Sequence, residues 1–341
     1  MFKSIKYEEI EKNWVDTSYV FIDVRSPSEY EAETIPGAIN IPIFNDEERC
    51  TIGTVYNQES VEKAKRIGIE FASKKLPKIY EEVYKLNHKY DKLAFFCARG
   101  GMRSSSLVSL FDSIGINAFK IEGGYKYYRK HIYNHLPDLI KNIQFVVLYG
   151  NTGTGKTRIL EKLKTKGMDV LDLEGCANHR GSILGNVGLG KQNTQKMFES
   201  LLYQSLINRK TNLVFVEGES RRIGKDIIPE YLFEAMNNGI NIKIETDMET
   251  RINNILDSYV HNTDKELIES LEHLRKHLGD NNIDRYIKLI EEHQYRPVAE
   301  ELMVKYYDPM YEYNNRKYSK VFYNDDIEVV ANRIIQWVDD L

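Results

Sequence analysis

Residues 150–157 read G-N-T-G-T-G-K-T, a complete G-x-x-x-x-G-K-[ST] string. This motif restricts the fold more than any other feature, because its chemistry works in only one structural setting. The glycines let successive backbone N–H groups turn inward around a phosphate. A helix N-terminus behind them adds positive potential, and Lys156 supplies a point charge. The motif must therefore follow a strand and open a helix. Its flanks comply: I-Q-F-V-V-L-Y at 143–149 is a nearly unbroken apolar run, and 157–166 reads as a helix. Gly150, Thr152, Gly153, Gly155, Lys156 and Thr157 are the candidate diphosphate ligands, with the Thr157 hydroxyl placed to meet a Mg²⁺ ion.

A second acidic position should sit at the end of a neighbouring strand. The run 212–217 leads into V-E-G-E-S, which makes Glu217 and Glu219 candidates for holding Mg²⁺, directly or through water. An ordinary surface carboxylate at a strand end is the alternative for each. Arg221 and Arg222 follow at once and either meet further phosphate or form a solvated face. Further strands are expected at 168–173 and 240–245, with helices between them. After Met248 the chain reads as mostly helical and acidic.

The first 130 or so residues alternate in the same way. The runs Y-V-F-I-D-V at 19–24 and L-A-F-F-C at 93–97 read as buried parallel strands. Residues 61–86 read as a helix broken near Pro77, and 104–114 as a helix that stops at Gly115. Such alternation implies a parallel sheet covered on both faces. The string C-A-R-G-G-M-R-S at 97–104 puts Cys97 at the carboxyl end of a strand, where α/β sheets form ligand sites. Loop amides, a helix N-terminus and nearby arginines favour a thiolate nucleophile. The same surroundings, Arg99, Gly100, Gly101, Arg103 and Ser104, suit a tetrahedral oxyanion. A buried strand-end cysteine is the alternative; Cys50 and Cys176 lack such neighbours. The pattern weakens around 131–142, so residues 1–136 are expected as one domain, 137–142 as a linker and 143–341 as a second domain.

Composition excludes several classes. At 341 residues, 42% hydrophobic and 29% charged, the chain suits two globular domains, each with its own core. Its three cysteines lie far apart with no C-x-x-C pair, so neither a disulfide framework nor a zinc site is expected, and no haem. No apolar run approaches the roughly 18 residues of a membrane span, and the first ten residues lack an apolar signal segment, so a cytoplasmic location is expected. A net charge of −4 gives no global basic signature, and nucleic acid would need a local patch. The stretch 125–131, Y-K-Y-Y-R-K-H, offers one, with Lys126, Arg129 and Lys130 set among tyrosines. A linker helix with packing tyrosines is the alternative.

Residues 22–42, I-D-V-R-S-P-S-E-Y-E-A-E-T-I-P-G-A-I-N-I-P, resemble the N-terminal signature of rhodanese-like domains, with Asp23, Arg25, Glu29, Tyr30 and Asn40 where that pattern expects them. Cys97 then falls where the nucleophile of that fold belongs. The Cys-x5-Arg spacing to Arg103 resembles the rhodanese-fold phosphatases and keeps a phosphate ester open as substrate. One such domain joined to a phosphate-loop domain resembles the tRNA 2-selenouridine synthase family over essentially the whole chain. The resemblance includes E-G-G-Y-K at 122–126, L-E-G-C-A-N-H-R-G-S at 173–182 and E-G-E-S-R-R-I-G at 217–224.

This resemblance implies a rhodanese-like parallel-sheet domain followed by a P-loop NTPase-like parallel-sheet domain with a helical C-terminal part. It implies exchange of the sulfur of wobble 2-thiouridine, in the anticodon of tRNA, for selenium. Selenophosphate would be the donor, and the exchange would pass through an S-geranyl intermediate made from geranyl diphosphate. A selenophosphate-producing enzyme would then be a partner. Cys97 would serve the selenation step, Arg99 and Arg103 with the loop amides would hold selenophosphate, and the phosphate loop would hold the diphosphate. His179 and Arg180, ahead of the Gly-rich stretch G-N-V-G-L-G-K-Q, would close over the diphosphate or touch tRNA; a plain surface loop is the alternative. The competing function is an ATP-dependent kinase or NTPase fused to a sulfurtransferase or phosphatase domain. A third is a regulatory module that binds without turnover.

Overall fold

The computed structural model describes residues 3–14, 16–312 and 316–341. The chain divides into two compact units, Met1–His135 and Leu136–Leu341. Among the described residues each unit is built on its own five-stranded sheet, parallel throughout.

The first unit contains β1 (Ser4–Ile5), α1 (Tyr7–Lys12), β2 (Tyr19–Asp23), α2 (Pro27–Ala32), β3 (Ile39–Asn40), α3 (Asp46–Gln58), α4 (Val61–Asn87), β4 (Lys92–Phe96), α5 (Met102–Ser113) and β5 (Ala118–Ile121), and α6 (Gly124–Ile140) follows. The sheet order is β1-β5-β4-β2-β3, which puts β4 in the middle. Strand β2 is buried along its length and β4 at every residue but Lys92, as strands covered on both faces must be. Val20, Ile22, Leu93 and Phe95 share one core with Leu107, Val108 and Phe111 of α5 and with Ile79 and Val83 of α4.

Two expectations fail at prolines. Helix α4 does not break at Pro77 but runs through it. Pro77 and Ser73, whose carbonyl loses its donor, are both exposed, while Leu76, Ile79 and Val83 fasten the helix to the core around that point. Helix α6 likewise continues through Pro137 to Ile140, so most of the stretch expected as a linker, 137–142, is helical.

The second unit opens with β6 (Gln144–Tyr149) and α7 (Lys156–Thr165), then β7 (Val170–Leu171), α8 (Leu173–Ala177), α9 (Gln195–Ile207), β8 (Leu213–Glu217), an antiparallel pair β9 (Arg222–Ile223) and β10 (Asp226–Ile227), α10 (Glu230–Asn237) and β11 (Ile240–Glu245). Next come α11 (Met248–Tyr259), α12 (Asp264–Glu272), α13 (Arg275–Leu278), α14 (Asp280–Glu291), α15 (Tyr295–Leu302), a π turn at Met303–Tyr307, α16 (Asp308–Glu312), β12 (Lys320–Tyr323) and α17 (Ile327–Asp339). The sheet order is β12-β11-β6-β8-β7, with β6 central.

Strand β12 interrupts the helical run expected after Met248. It pairs in parallel with β11, from Ile242 opposite Lys320 to Glu245 opposite Tyr323. Its Val321 and Tyr323 are exposed and Phe322 is buried, an edge pattern with little apolar signal. Helix α17 then places Val330, Ala331 and Ile334 in one core with Leu160 and Leu163 of α7. A separate core around Leu267, Leu271, Ile283, Tyr286 and Ile290 holds the helical part.

The rhodanese-type signature proves to be scaffold. Arg25 is buried, with Nη2 donating to Asp23 Oδ2 at 2.6 Å and to the Glu33 carbonyl at 2.6 Å, and its guanidinium lies 4.4 Å from the Tyr125 ring centre. Thr34 Oγ1 donates to Asp23 Oδ2 at 2.9 Å, and Asn40 Nδ2 bridges the carbonyls of Asp23 and Arg25 at 2.9 and 3.0 Å. Asp23→Ala leaves a guanidinium buried without its counterion, which should cost about 3–5 kcal/mol. The check is the urea midpoint of the first unit's unfolding transition in the full chain, where Asp23→Asn should lose less.

Candidate functional site

Strand β4 delivers Cys97, and α5 starts at Met102. Between them the loop curls back on the sulfur: the Gly101 N–H donates to Cys97 Sγ at 3.2 Å, and Ser104 Oγ lies 3.3 Å from it. Cys97 is buried. The loop rests on the E-G-G-Y-K segment. Gly100 has φ +62°, and a Cβ there would come within 3.0 Å of the Gly124 nitrogen; Gly124 has φ +58°, and its Cβ would fall 2.2 Å from the Cys97 carbonyl oxygen. Only glycine permits that approach. The N–H groups of Tyr125 and Lys126 donate to the carbonyls of Cys97 and Ala98, both at 2.9 Å.

The two arginines expected to hold an anion separate. Arg103 is committed to Glu29, through Nη1 to Oε2 at 2.6 Å and Nη2 to Oε1 at 3.4 Å. Burial acts to raise the Glu29 pKa, yet the hydrogen bond and charge of Arg103 hold it below the ordinary carboxyl value. Arg99 is exposed and makes no ion pair among the described residues, so it is available to an incoming anion. The other cysteines differ in kind. Cys50 is exposed, and Cys176 is buried, with its thiol pushed up to about 12 by burial and then by Asp172 and Glu217.

In the second unit β6 leads directly into the phosphate loop, and α7 begins at Lys156. Gly153 and Gly155 adopt φ +83° and +88°, and a Cβ on either would come within 2.6 Å of the Arg251 carbonyl oxygen or of Asn324 Nδ2 respectively. The loop's carbonyls point outward to side chains from later in the chain. Arg251 Nε donates to Thr152 O at 2.9 Å, Asn254 Nδ2 to Gly153 O at 2.8 Å, and Asn324 Nδ2 to Thr154 O at 2.9 Å. Arg251 is buried and paired with Asp308 through bonds of 2.6 and 3.0 Å, and Asn151 Nδ2 donates to the same carboxylate at 3.0 Å. Lys156 Nζ donates to the Gly150 carbonyl at 2.8 Å. Sequence reasoning missed Arg251, Asn254, Asp308 and Asn324, which are isolated polar residues with no motif around them.

The acids are not arranged as expected. Glu217 does end β8 beside β6, but it is buried: Oε1 accepts the Glu174 N–H at 2.8 Å and Oε2 has no hydrogen-bond partner. Burial, then the charges of Asp172 and Glu174, hold its pKa well above the ordinary value. The Glu219 carboxyl lies against Gly181, where a Cβ would meet Oε2 at 2.4 Å; burial and then Glu174 raise its pKa against the pull of Lys156. The acid that reaches the phosphate loop is Glu174, whose Oε2 accepts from Thr157 Oγ1 at 3.3 Å. Its pKa is raised by burial, with Lys156 opposing. The stretch 173–182 contained it, but nothing in the sequence distinguished it from Glu217. Among the described residues no group of three or more His, Cys, Asp or Glu is arranged to hold a metal ion.

His179 is buried with Nδ1 unpartnered, and burial followed by Arg180 lowers its pKa. Arg180 donates to the Val187 carbonyl at 2.7 Å and lies 4.9 Å from the Tyr259 ring centre. Arg180 therefore fastens the Gly-rich stretch, while His179 lies buried beside it.

Residues 143–340 match the tRNA 2-selenouridine synthase AAA domain, and residues 6–131 match the rhodanese-like domain. A tRNA 2-selenouridine synthase of Pseudomonas syringae pv. syringae is 31% identical across 91% of this chain and 93% of its own. Another, from Hydrogenovibrio crunogenus, is 30% identical across 92% of this chain and 94% of its own. The chain belongs to the tRNA 2-selenouridine synthase family.

In this member of the tRNA 2-selenouridine synthase family the basic candidates outside the two loops divide by exposure. On α6, Lys126 and Lys130 are exposed and Arg129 is half-buried. The tyrosines expected to stack on RNA are engaged instead: Tyr125 and Tyr128 are buried, and the Tyr127 hydroxyl donates to Glu8 at 2.8 Å. Arg221 pairs with Glu230, while Arg222 is exposed on β9.

The raised acids give the second unit of this family member a pH dependence. A carboxyl whose folded pKa lies above its unfolded value, here 4.5, favours the fold fully below that value and loses this contribution as pH rises through the folded pKa. Glu217→Gln removes the group that must stay protonated. It should stabilise the second unit at about pH 8 by on the order of 1–3 kcal/mol and leave it unchanged at about pH 4. Urea midpoints of wild type and variant at the two pH values check this.

Proposed function

We propose that the chain is a transferase that replaces the sulfur of wobble 2-thiouridine in tRNA with selenium from selenophosphate, by way of S-geranyl-2-thiouridine made from geranyl diphosphate. The observation that carries this reading is the presence, in one chain, of a sulfur held at a helix N-terminus by the Gly101 amide and a complete phosphate loop at Gly150–Thr157. The relatives' name supplies tRNA and selenouridine. The two sites supply places for two steps.

In the first step the thiocarbonyl sulfur attacks C1 of the geranyl group. The C–O bond breaks, its electron pair leaves with the diphosphate, and the base loses a proton. Lys156 and the loop amides take up the charge that collects on the leaving group. Glu174 with the Thr157 hydroxyl, rather than Glu217 or Glu219, is the pair that would hold a Mg²⁺ ion. In the second step the selenium of selenophosphate bonds to C2, the C–S bond breaks and geranyl thiolate departs, becoming a thiol once protonated; water then attacks phosphorus, the Se–P bond breaks with its electron pair staying on selenium, and phosphate leaves. Alkylation makes sulfur a competent leaving group, which sets the order of the steps.

Selenium in selenophosphate is already at the selenide level. Attack of a thiolate on that selenium would expel phosphite, whereas release of phosphate needs no S–Se bond. This chemistry favours Cys97 as a holding group, with Arg99 on the phosphate oxygens. Lys126 and Lys130 are the proposed contacts to the RNA backbone, and a selenophosphate-producing enzyme must supply the donor. A cytoplasmic location belongs to the same proposal; no described helix is long and apolar enough to cross a membrane.

Mass spectrometry of tRNA nucleosides from cells with and without the protein tests the whole reading. An ATP-dependent kinase or NTPase predicts magnesium-dependent ATP turnover and unchanged nucleosides instead. Cys97→Ser should abolish selenouridine while the geranylated nucleoside still forms and accumulates. Lys156→Ala should lose the geranylated nucleoside at least about 100-fold, and tRNA supplied already geranylated should restore selenation by that variant.

A further inference from the structure

We propose that Arg49, on α3, is a further holding residue for the anion that enters beside Cys97, part of a basic cluster whose charge Glu29 sets. The identity of that anion rests on the selenophosphate reading above. The Val24 N–H donates to the Phe96 carbonyl at 3.0 Å, so the end of β2 lies beside the end of β4 that leads into Cys97. The chain then runs along this end of the sheet, with the N–H groups of Ile41 and Ile43 donating to the carbonyls of Asp23 and Val24 at 3.0 and 3.3 Å. Helix α3 opens just after, at Asp46, which fastens it to α2 by accepting from the Ser28 N–H at 3.0 Å and from Ser28 Oγ at 2.5 Å. Arg49 stands in the first turn of α3 and therefore at the same end of the sheet as the sulfur.

Arg49 and Arg103 converge there on one carboxylate oxygen. Glu29 Oε2 accepts from Arg103 Nη1 at 2.6 Å and lies 3.6 Å from Arg49 Nε. One carboxylate offsets one guanidinium. With Arg99, which makes no ion pair among the described residues, three guanidinium groups stand against Glu29, and two positive charges are left over. A phosphate-type anion carries about two negative charges at neutral pH, which this surplus matches. The two partners of Glu29 differ in freedom. The Arg103 side chain is 16% exposed and would leave a buried carboxylate behind if it moved, whereas the Arg49 side chain is 41% exposed and can turn from Glu29 to a ligand.

Helix α3 keeps room for this side chain. Gly53 lies one turn beyond Arg49, and a Cβ there would come within 2.6 Å of Arg49 Nη1. Its φ is not positive, so no backbone strain calls for glycine. A glycine inside a helix weakens the helix, and the missing carbon is the space that the guanidinium occupies. A half-exposed ion pair at 3.6 Å adds little to stability, so fastening α3 to α2 does not account for Arg49.

The experiment follows the first unit's urea unfolding transition in the full chain, in chloride and in rising inorganic phosphate at matched ionic strength. An anion held by the native state raises the midpoint until its site is full. Wild type should show such a saturable rise, and Arg49→Ala should need at least about fivefold more phosphate to reach half of it. Arg49→Lys should keep most of the affinity. Lys89→Ala, which removes an exposed charge at the other end of β4, should match wild type. In selenation assays Arg49→Ala should raise KM for selenophosphate at least about fivefold and leave kcat within about twofold. A merely structural Arg49 would instead lower the midpoint equally in chloride and in phosphate. That outcome overturns the proposal, as does a wild type with no saturable rise or an equal phosphate demand in wild type and Arg49→Ala. Selenouridine formed by wild type then leaves the selenophosphate reading standing. If Arg49→Ala weakens phosphate as expected while wild type forms no selenouridine, the arginine cluster stands and the selenophosphate reading falls.

Discussion

The phosphate loop of this chain keeps its shape because other parts of the second unit hold its back. Three successive carbonyls, those of Thr152, Gly153 and Thr154, are each taken by a side chain from later in the chain: Arg251, Asn254 and Asn324. Each bond is worth about 1 kcal/mol net, but together they fix which way the peptide planes face. With the carbonyls directed outward, the opposite side of the loop is left to N–H groups, as an anion requires. Helix α11 is thus tied to the loop's chemistry through Arg251 and Asn254. Strand β12 has a comparable purpose, since it ends just before Asn324, whose N–H donates to the Glu245 carbonyl at 2.7 Å and whose carbonyl accepts from Thr246 Oγ1 at 2.7 Å.

The electrostatics beside the loop follow from crowding. Burial raises the pKa values of Glu174, Glu217 and Glu219, and neighbouring acids add to it: Asp172 at Glu174, Asp172 with Glu174 and Glu219 at Glu217, and Glu174 at Glu219. Lys156 acts in the opposite direction on Glu174 and Glu219, so its positive charge stands among these acids beside the loop. The thiol loop of the first unit uses a different arrangement. There Arg103 is neutralised by Glu29, and Arg99 at the surface carries the loop's positive charge.

Both sheets, their central strands and the two loops at the ends of those strands were legible from short apolar runs and two dense motifs. What escaped was of three kinds. Strand β12 is a four-residue edge with one buried side chain, too short for alternation to register. The prolines at 77 and 137 look like breaks locally, but apolar packing on either side keeps α4 and α6 continuous. The third kind is partnership. That Arg103 meets Glu29, or that Glu174 rather than Glu217 reaches Thr157, depends on how distant segments meet. Residue type and spacing identify such side chains as available to a site without saying which will be spent on holding it together.

The seating of the Cys97 loop bears on how proteins of this kind can change. Its carbonyls are bonded to the first turn of α6, and Gly100 and Gly124 meet without room for a single carbon between them. A residue inserted between 97 and 101 would have to break those bonds or lift the helix. Loops commonly acquire new ligands by changing length, and that route is closed here. Diversification is left to the exposed side chains of Arg99 and Met102, which stand clear of that seat. The thiol end of the chain can vary in charge and surface while its reach stays fixed.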